Sequence, residues 1–458
     1  MKALRVFKLF NLERLITSPQ TGLIGGFAAV ILIGALLLCL PWAQHGRVGF
    51  LDALFTSTSA VCVTGLTVVD TGTDYTRFGQ VIIVALIQIG GVGIMTFAGL
   101  TFQLLGRRMS LQSQAVLQDT FFQRDVAGEF QRTFRTILLL TVGIEAFGAL
   151  LLWIFLLPRM DPMPALFSAV FHSISAFCNA GFSIHSDNLV GLRDSPGFLI
   201  VIMALIILGG LGYTVLNEIW ELARGKKRIG GVRRPQPFSL HGRLVMGMTA
   251  FLVVGGTLAI LLFGLTPEEF SWGDLALNAA FQSVTARTAG FNSVDIGKLP
   301  QSSLFVLIVL MFIGGSPGSC AGGVKTTSVA IWSARIKAAL RGERDVHLLD
   351  RRIPWQQVGR VDLLMALAIV WNMVGFLFLM TTEARLPDGP LALMFEQISA
   401  FGTVGLSTGL TPNLSSPGKL WIIATMFVGR LGPLTIAMWM VPMHKTHVGY
   451  PKGTVMIG

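Results

Sequence analysis

The chain has 458 residues, of which 52% are apolar and 13% charged, with a mean hydropathy of +0.68 and a formal net charge of +11. That balance excludes an ordinary soluble domain and requires segments that lie in lipid. Its four cysteines (Cys39, Cys62, Cys178, Cys320) and seven histidines show no metal-ligand spacing, and no H-E-x-x-H, phosphate-loop or G-x-S-x-G signature is present, which sets the enzyme classes aside.

In chain order, Lys2, Arg5, Lys8 and Arg14 precede a first apolar span at 22–41. The order resembles a signal peptide, but no small-residue cleavage site follows, so the span is expected to stay as an opening transmembrane helix. Further spans of membrane-crossing length lie at 78–104, 136–157, 197–220, 244–265, 302–333, 361–382 and 419–442. Eight spans form four pairs. Inside each pair sits a segment too short to cross, at 52–62, 165–178, 274–286 and 391–402. The expected fold is an all-α polytopic membrane protein of four repeats, each helix, re-entrant half-helix, loop, helix, around one pore. The expected boundaries are a cytoplasmic segment 1–21, repeats at 22–110, 133–224, 242–340 and 360–442, and a cytoplasmic tail at 443–458.

Each short segment carries the same phrase: an aromatic, then Ser or Thr four residues on, then Ala, then a glycine. The copies are Phe55/Ser59/Gly65, Phe171/Ser175/Gly181, Phe281/Thr285/Gly290 and Phe395/Ser399/Gly405, the glycines 116, 109 and 115 residues apart. The half-helices would point their negative C-terminal poles toward the pore centre. Beyond them the triplets Val63-Thr64-Gly65, Asn179-Ala180-Gly181, Thr288-Ala289-Gly290 and Thr403-Val404-Gly405 contain no carboxylate. That composition predicts a filter whose backbone carbonyls replace the hydration shell of a monovalent cation. Glycine permits the positive φ that turns successive carbonyls to one side.

The second helices share a glycine pair: Gly90-Gly91, Gly209-Gly210, Gly314-Gly315 and Gly429-Arg430. Close helix contact through small residues explains the first two. The third runs on as Gly314-Gly315-Ser316-Pro317-Gly318-Ser319-Cys320-Ala321-Gly322-Gly323, followed by Lys325, which no regular helix accommodates. A broken helix at membrane depth is a candidate gate loop below the filter. Arg430 lies 25 residues past Gly405, as Gly315 lies 25 past Gly290, and is read either as an electrostatic barrier in the ion path or as a helix anchor. Glu145 is the other isolated intramembrane charge.

The net positive charge does not imply a nucleic-acid partner, because of where it sits. Segments 1–21, 105–135, 221–243, 334–360 and 443–458 carry 4, 5, 7, 7 and 2 Lys+Arg, against eight in all the opposite segments. Both termini are thus expected in the cytoplasm, with the bilayer as the chain's surroundings.

The runs Ser59–Leu66, His172–Phe182, Ala286–Asp295, Ile398–Thr411 and Val428–Thr435 resemble the Ktr/Trk/HKT superfamily of potassium transporters, most closely KtrB-type membrane subunits. The resemblance covers about residues 20–458. It implies potassium uptake, a homodimer with one pore per protomer, and a cytoplasmic ring of nucleotide-binding regulatory subunits of the KtrA kind. Potassium is the expected transported ion and sodium the candidate second ion. In HKT relatives a serine at the first filter glycine accompanies sodium preference, and this chain has Gly65 there. Its Ser316-Pro317-Gly318-Ser319-Cys320 stretch is bulkier than the resemblance implies for the gate.

The competing reading is an ion-coupled secondary transporter of another monovalent cation. Such folds show twofold repeats, whereas this chain has four running in the same direction.

Overall fold

The structure, a computed structural model, describes residues 19–46, 48–105, 130–223, 228–229, 232–233, 238–264, 272–385 and 389–440. The basic N-terminal segment up to residue 18, the C-terminal tail and most of the 105–135 connection lie outside the described residues.

The first quarter comprises α1 (Pro19–Leu38), α2 (Phe50–Val61) and α3 (Arg77–Leu105). The second comprises α4 (Phe130–Leu156), α5 (Pro162–Phe177) and α6 (Pro196–Leu211), continued by α7 (Tyr213–Ala223). Hairpin β1 (Arg228–Ile229) and β2 (Val232–Arg233) leads to the third: α8 (Leu240–Phe263), α9 (Trp272–Thr285), α10 (Gln301–Phe312) and α11 (Thr326–Leu340). Hairpin β3 (Val346–Leu348) and β4 (Arg351–Ile353) precedes the fourth: α12 (Trp355–Thr382), α13 (Gly389–Gly402), α14 (Ser416–Leu431) and α15 (Pro433–Met440). Among the described residues the elements are helical apart from these two short hairpins, which the sequence reading does not anticipate.

Local chemistry sets several starts. Pro occupies the first turn of α5, α6 and α14, where a missing N–H costs nothing. Ser239 Oγ and Ser415 Oγ accept the Gly242 and Gly418 N–H groups at 3.0 and 3.3 Å and so cap α8 and α14.

The four first helices, α1, α4, α8 and α12, are each long and apolar enough to cross a membrane. They expose large apolar side chains such as Leu36 (61%), Phe147 (63%), Phe251 (70%) and Leu262 (76%), which suits lipid and not water. Two of the second helices, those of the second and fourth quarters, depart from the expected unbroken spans. α6 and α7 meet at 105° across Gly212 (φ 83°), and α14 and α15 are divided at Gly432 (φ 84°). α10 and α11 are separated by the 313–325 loop, the break that the Pro and Gly content predicts.

Each second helix packs on the half-helix of the following quarter: α3 on α5, α6 on α9, α10 on α13, and α14 on α2. The last contact closes a ring, and Lys419 Nζ bonds Asp52 Oδ1 at 2.8 Å across that seam. The recurrent aromatics Phe55, Phe171, Phe281 and Phe395 are all buried in the core behind the ring.

Candidate functional site

The short helices α2, α5, α9 and α13 end where the glycine-centred loops begin. A repeated set of bonds holds each loop to its helix. The carbonyls of Ser59, Ser175, Thr285 and Ser399 accept the N–H of Thr64, Ala180, Ala289 and Val404 at 2.8, 2.7, 2.9 and 2.8 Å. The hydroxyls of the same residues reach further up. Ser59 Oγ accepts Gly65 N–H at 3.0 Å, and Ser399 Oγ accepts Gly405 N–H at 3.1 Å. Ser175, Thr285 and Ser399 donate to the carbonyls of Phe182, Phe291 and Leu406 at 2.9, 2.6 and 2.6 Å. This explains why the repeated phrase needs Ser or Thr at that place.

The loops share one backbone conformation. Val63, Asn179, Thr288 and Thr403 lie at φ 57°, 60°, 71° and 49°, and Gly65, Gly181, Gly290 and Gly405 at 95°, 68°, 80° and 94°. Left-handed backbone is uncommon for any non-glycine residue and a marked outlier for β-branched Val and Thr. Its recurrence in all four loops marks a conformation that the surroundings impose.

The glycines define how the loops meet. A Cβ built on Gly65 would strike the Ala180 carbonyl, on Gly181 the Ala289 carbonyl, on Gly290 the Val404 carbonyl, and on Gly405 the Thr64 carbonyl. The sequence of contacts is cyclic and returns to its start, so the four triplets face one axis. All twelve triplet residues are buried, and Asn179 also meets Thr288 Oγ1 at 3.3 Å, with its amide turned so that the nitrogen faces Ala176 O and Ile206 O.

Two further buried polar rows escape the sequence reading. Ser57, Ser173 and Ser283 donate to Ile31, Glu145 and Val253 carbonyls at 2.7, 2.7 and 2.9 Å, and Gln397 reaches Asn372 at 3.4 Å, fixing each half-helix to the first helix of its own quarter. Gly34, Gly148, Gly256 and Gly375 make room for those four side chains. One residue earlier, His172, Gln282 and Glu396 brace the strand leaving the loop, through Ser183 (2.9 Å), Ser293 (3.4 Å) and Ser407 (2.7 Å). Glu396 also accepts from Thr408 N–H at 2.9 Å and Thr411 Oγ1 at 2.5 Å, which satisfies a fully buried carboxyl group. The available signal is a polar residue at the same offset before the recurrent Ser or Thr in each of the four half-helices.

Residues Gly314 through Lys325 form a loop tied to the other three quarters. Within the third quarter, Gly314 N–H donates to Val324 O at 2.8 Å and Thr326 N–H to Gly315 O at 3.0 Å. Toward the second, Ser316 N–H and Oγ donate to Gly210 O at 3.1 and 3.0 Å, and Tyr213 N–H donates to Gly318 O at 3.1 Å. Pro317 O lies 2.8 Å from where a Gly212 Cβ would stand. Toward the fourth, Gly322 N–H donates to Thr403 Oγ1 at 3.1 Å. Ser319 Oγ closes the turn on Ser316 O at 2.6 Å, Ala321 N–H donates to Ser319 Oγ, and Lys325 Nζ donates to Ala321 O. Gly323 (φ 64°) packs against Gly402.

Arg430 is buried in α14 and donates through Nη1 to Cys320 O and through Nη2 to Gly90 O at 2.5 Å. It therefore joins the loop to the first quarter as well. The equivalent glycines Gly90, Gly209 and Gly429 sit against the carbonyls of Val61, Phe177 and Phe401 at the ends of the half-helices, where a side chain has no room. Glu145 is buried and paired with Gln88 Nε2 at 3.1 Å. Among the described residues no group of three or more His, Cys, Asp or Glu could hold a metal ion.

A family model described as "TrkH: Cation transport protein" matches residues 10–447. The "Ktr system potassium uptake protein B" of Bacillus subtilis is 38% identical, over 96% of this chain and 97% of its own length. Its namesake from Vibrio alginolyticus is 36% identical, covering 94% and 93%. The "Potassium/sodium uptake protein NtpJ" of Enterococcus hirae is 35% identical, covering 96% and 97%. The crystal structure of the potassium transporter TrkH from Vibrio parahaemolyticus shares the fold, with a TM-score of 0.70 at 20% identity over 92% of this chain and 84% of that one. The chain is a multi-pass membrane protein and belongs to the TrkH family of cation transport proteins.

Proposed function

We propose that this protein takes up potassium across the plasma membrane through the four glycine-centred loops acting as a selectivity filter. The observation that carries the reading is the cyclic contact of the loops, in which each glycine abuts a carbonyl of the next. Val63, Thr64 and Gly65 with their counterparts would present carbonyls to a dehydrated ion. The ends of α2, α5, α9 and α13 would add about half an elementary negative charge each. The names of the Bacillus and Vibrio relatives support potassium as the ion, and that of the Enterococcus relative supports a sodium link.

In this reading the 313–325 loop is the gate, and Arg430 serves as barrier and anchor together. Its guanidinium keeps its charge under ordinary conditions. Its bonds to Cys320 O and Gly90 O hold the loop while its field opposes a passing cation. The four quarters act as four pore repeats of one path. The distribution of Lys and Arg supports cytoplasmic termini in an inner membrane. The "Ktr system" wording of relatives supports a further component, which we take to be a cytoplasmic nucleotide-binding ring beneath a homodimer. The chemistry is transport, without an enzymatic step.

The test is potassium uptake in a bacterial strain that lacks its own uptake systems. Restored growth at low potassium, accompanied by potassium accumulation in cells, is the expected result. A chain that reaches the membrane and accumulates no potassium, alone or with its regulatory partner, would overturn the reading.

A further inference from the structure

Cys178 and Cys320 belong to different quarters, yet their sulfurs flank one glycine. A Cβ built on Gly91 of α3 would stand 2.6 Å from Cys178 Sγ and 3.7 Å from Cys320 Sγ. All four cysteines of the chain are free thiols. Cys178 terminates α5, where its N–H donates to Ile174 O at 2.9 Å, and its Sγ lies 3.5 Å from Gln88 Oε1 and 3.8 Å from Glu145 Oε1. It is thus part of the fixed frame. Cys320 stands at the turn of the 313–325 loop, with its carbonyl held by Arg430. One thiol lies on the frame and the other on the segment bridging the quarters.

We propose that Cys178 and Cys320 form a reversible disulfide that fastens the loop to the end of α5 and holds the ion path shut. The proposal rests on the reading of that loop as the gate. Cys320 is 7% exposed and Cys178 is 0% exposed, so Cys320 meets an oxidant first. As thiolate, its sulfur attacks the distal oxygen of a small hydroperoxide, the O–O bond breaks, and the alcohol or water leaves with the proton that the thiol gave up. The product is the Cys320 sulfenic acid. The Cys178 sulfur then attacks the Cys320 sulfur and the hydroxyl leaves as water, taking the second thiol proton. The two sulfurs together lose two electrons, which reduce the peroxide. A side chain at 91 would stand against Cys178 Sγ, so glycine there leaves the space between the two sulfurs open. Thiol reductants reverse the bond by exchange.

The experiment uses the full chain, purified with reductant, reconstituted in potassium-loaded liposomes and exposed to tert-butyl hydroperoxide, then to dithiothreitol. Peptide mass mapping and potassium flux are read from the same sample. The expected result is a link between the peptides holding residues 178 and 320, lighter by two hydrogens, with a loss of most flux that dithiothreitol reverses. In Cys178→Ser and Cys320→Ser, each compared with itself before oxidation, both the link and the flux response should vanish. A Cys39→Ala/Cys62→Ala double variant should keep both. Absence of the 178–320 link would overturn the proposal and leave the thiols as small buried hydrophobes. So would a link that leaves flux unchanged, or a flux loss that persists in either serine variant. A chain that carries no potassium before oxidation fails the transport reading instead, and the thiol pair then stands or falls on the mass of the link.

Discussion

The hydroxyl row behind the loops makes a graded prediction, because the four positions hold different numbers of bonds. Ser399 both accepts Gly405 N–H at 3.1 Å and donates to Leu406 O at 2.6 Å, whereas Ser59 only accepts from Gly65 N–H. Ser175 and Thr285 only donate, to Phe182 O and Phe291 O. Ser399→Ala strands a buried N–H, which costs about 1–3 kcal/mol, and removes a neutral bond worth about 0.5–1.5 kcal/mol. The fourth loop thereby loses about 1.5–4.5 kcal/mol of support, and each 1.4 kcal/mol or so is tenfold in the balance between ordered and collapsed loop. Ser59→Ala loses about 1–3 kcal/mol, while Ser175→Ala and the near-isosteric Thr285→Val lose about 0.5–1.5 kcal/mol each. The assay is uptake affinity for potassium and for sodium in each variant, with membrane abundance measured in parallel. Loss of potassium preference should be greatest in Ser399→Ala, intermediate in Ser59→Ala and least in the other two. A larger effect from Ser175→Ala or Thr285→Val than from Ser399→Ala would refute the reasoning, as would four neutral variants.

Deletion of Ser316–Gly323 removes the bonds to Gly210, Thr403 and Arg430 and should raise potassium flux while weakening its dependence on a regulatory partner; unchanged flux from a folded deletion would make the loop a packing kink. Arg430→Gln removes the charge but keeps some donor capacity, so maximal flux in liposomes should rise, whereas Arg430→Lys should stay closer to the parent. A fall in flux, or loss of folded protein, in Arg430→Gln would assign the residue to anchoring alone.

Much of the fold is legible from residues because the repeated glycine carries a conformational demand. The expected half-helices at 52–62, 165–178, 274–286 and 391–402 lie within three residues of those observed. The third-helix break is equally legible, since Pro317 among glycines cannot stay helical. Gly93, Gly212 and Gly432 show where such reading ends. All three follow a glycine pair or its equivalent by the same spacing, yet α3 runs through Gly93 while the chain turns at the other two. At Gly432 the following Pro433 is a local signal. At Gly212 the deciding contact is tertiary, Tyr213 N–H to Gly318 O, and nothing adjacent in sequence announces it. The polar rows at Ser57 and Glu396 are hidden for a similar reason. A polar side chain in a half-apolar helix looks like a solvent face until its buried acceptor or donor is located.

The account stands most directly on one measurement: potassium and sodium flux, side by side in liposomes, for Gly65→Ser, Gly181→Ser, Gly290→Ser and Gly405→Ser. Each substitution places a Cβ against the carbonyl of the neighbouring loop and a non-glycine residue at positive φ. Left-handed backbone costs about 1–2 kcal/mol for an L-residue, and overpacking typically adds about 1–3 kcal/mol. The predicted result is parent flux that favours potassium and a weakened preference in every serine variant that reaches the membrane. Four folded variants with the parent's potassium preference would contradict the claim that these loops select the ion.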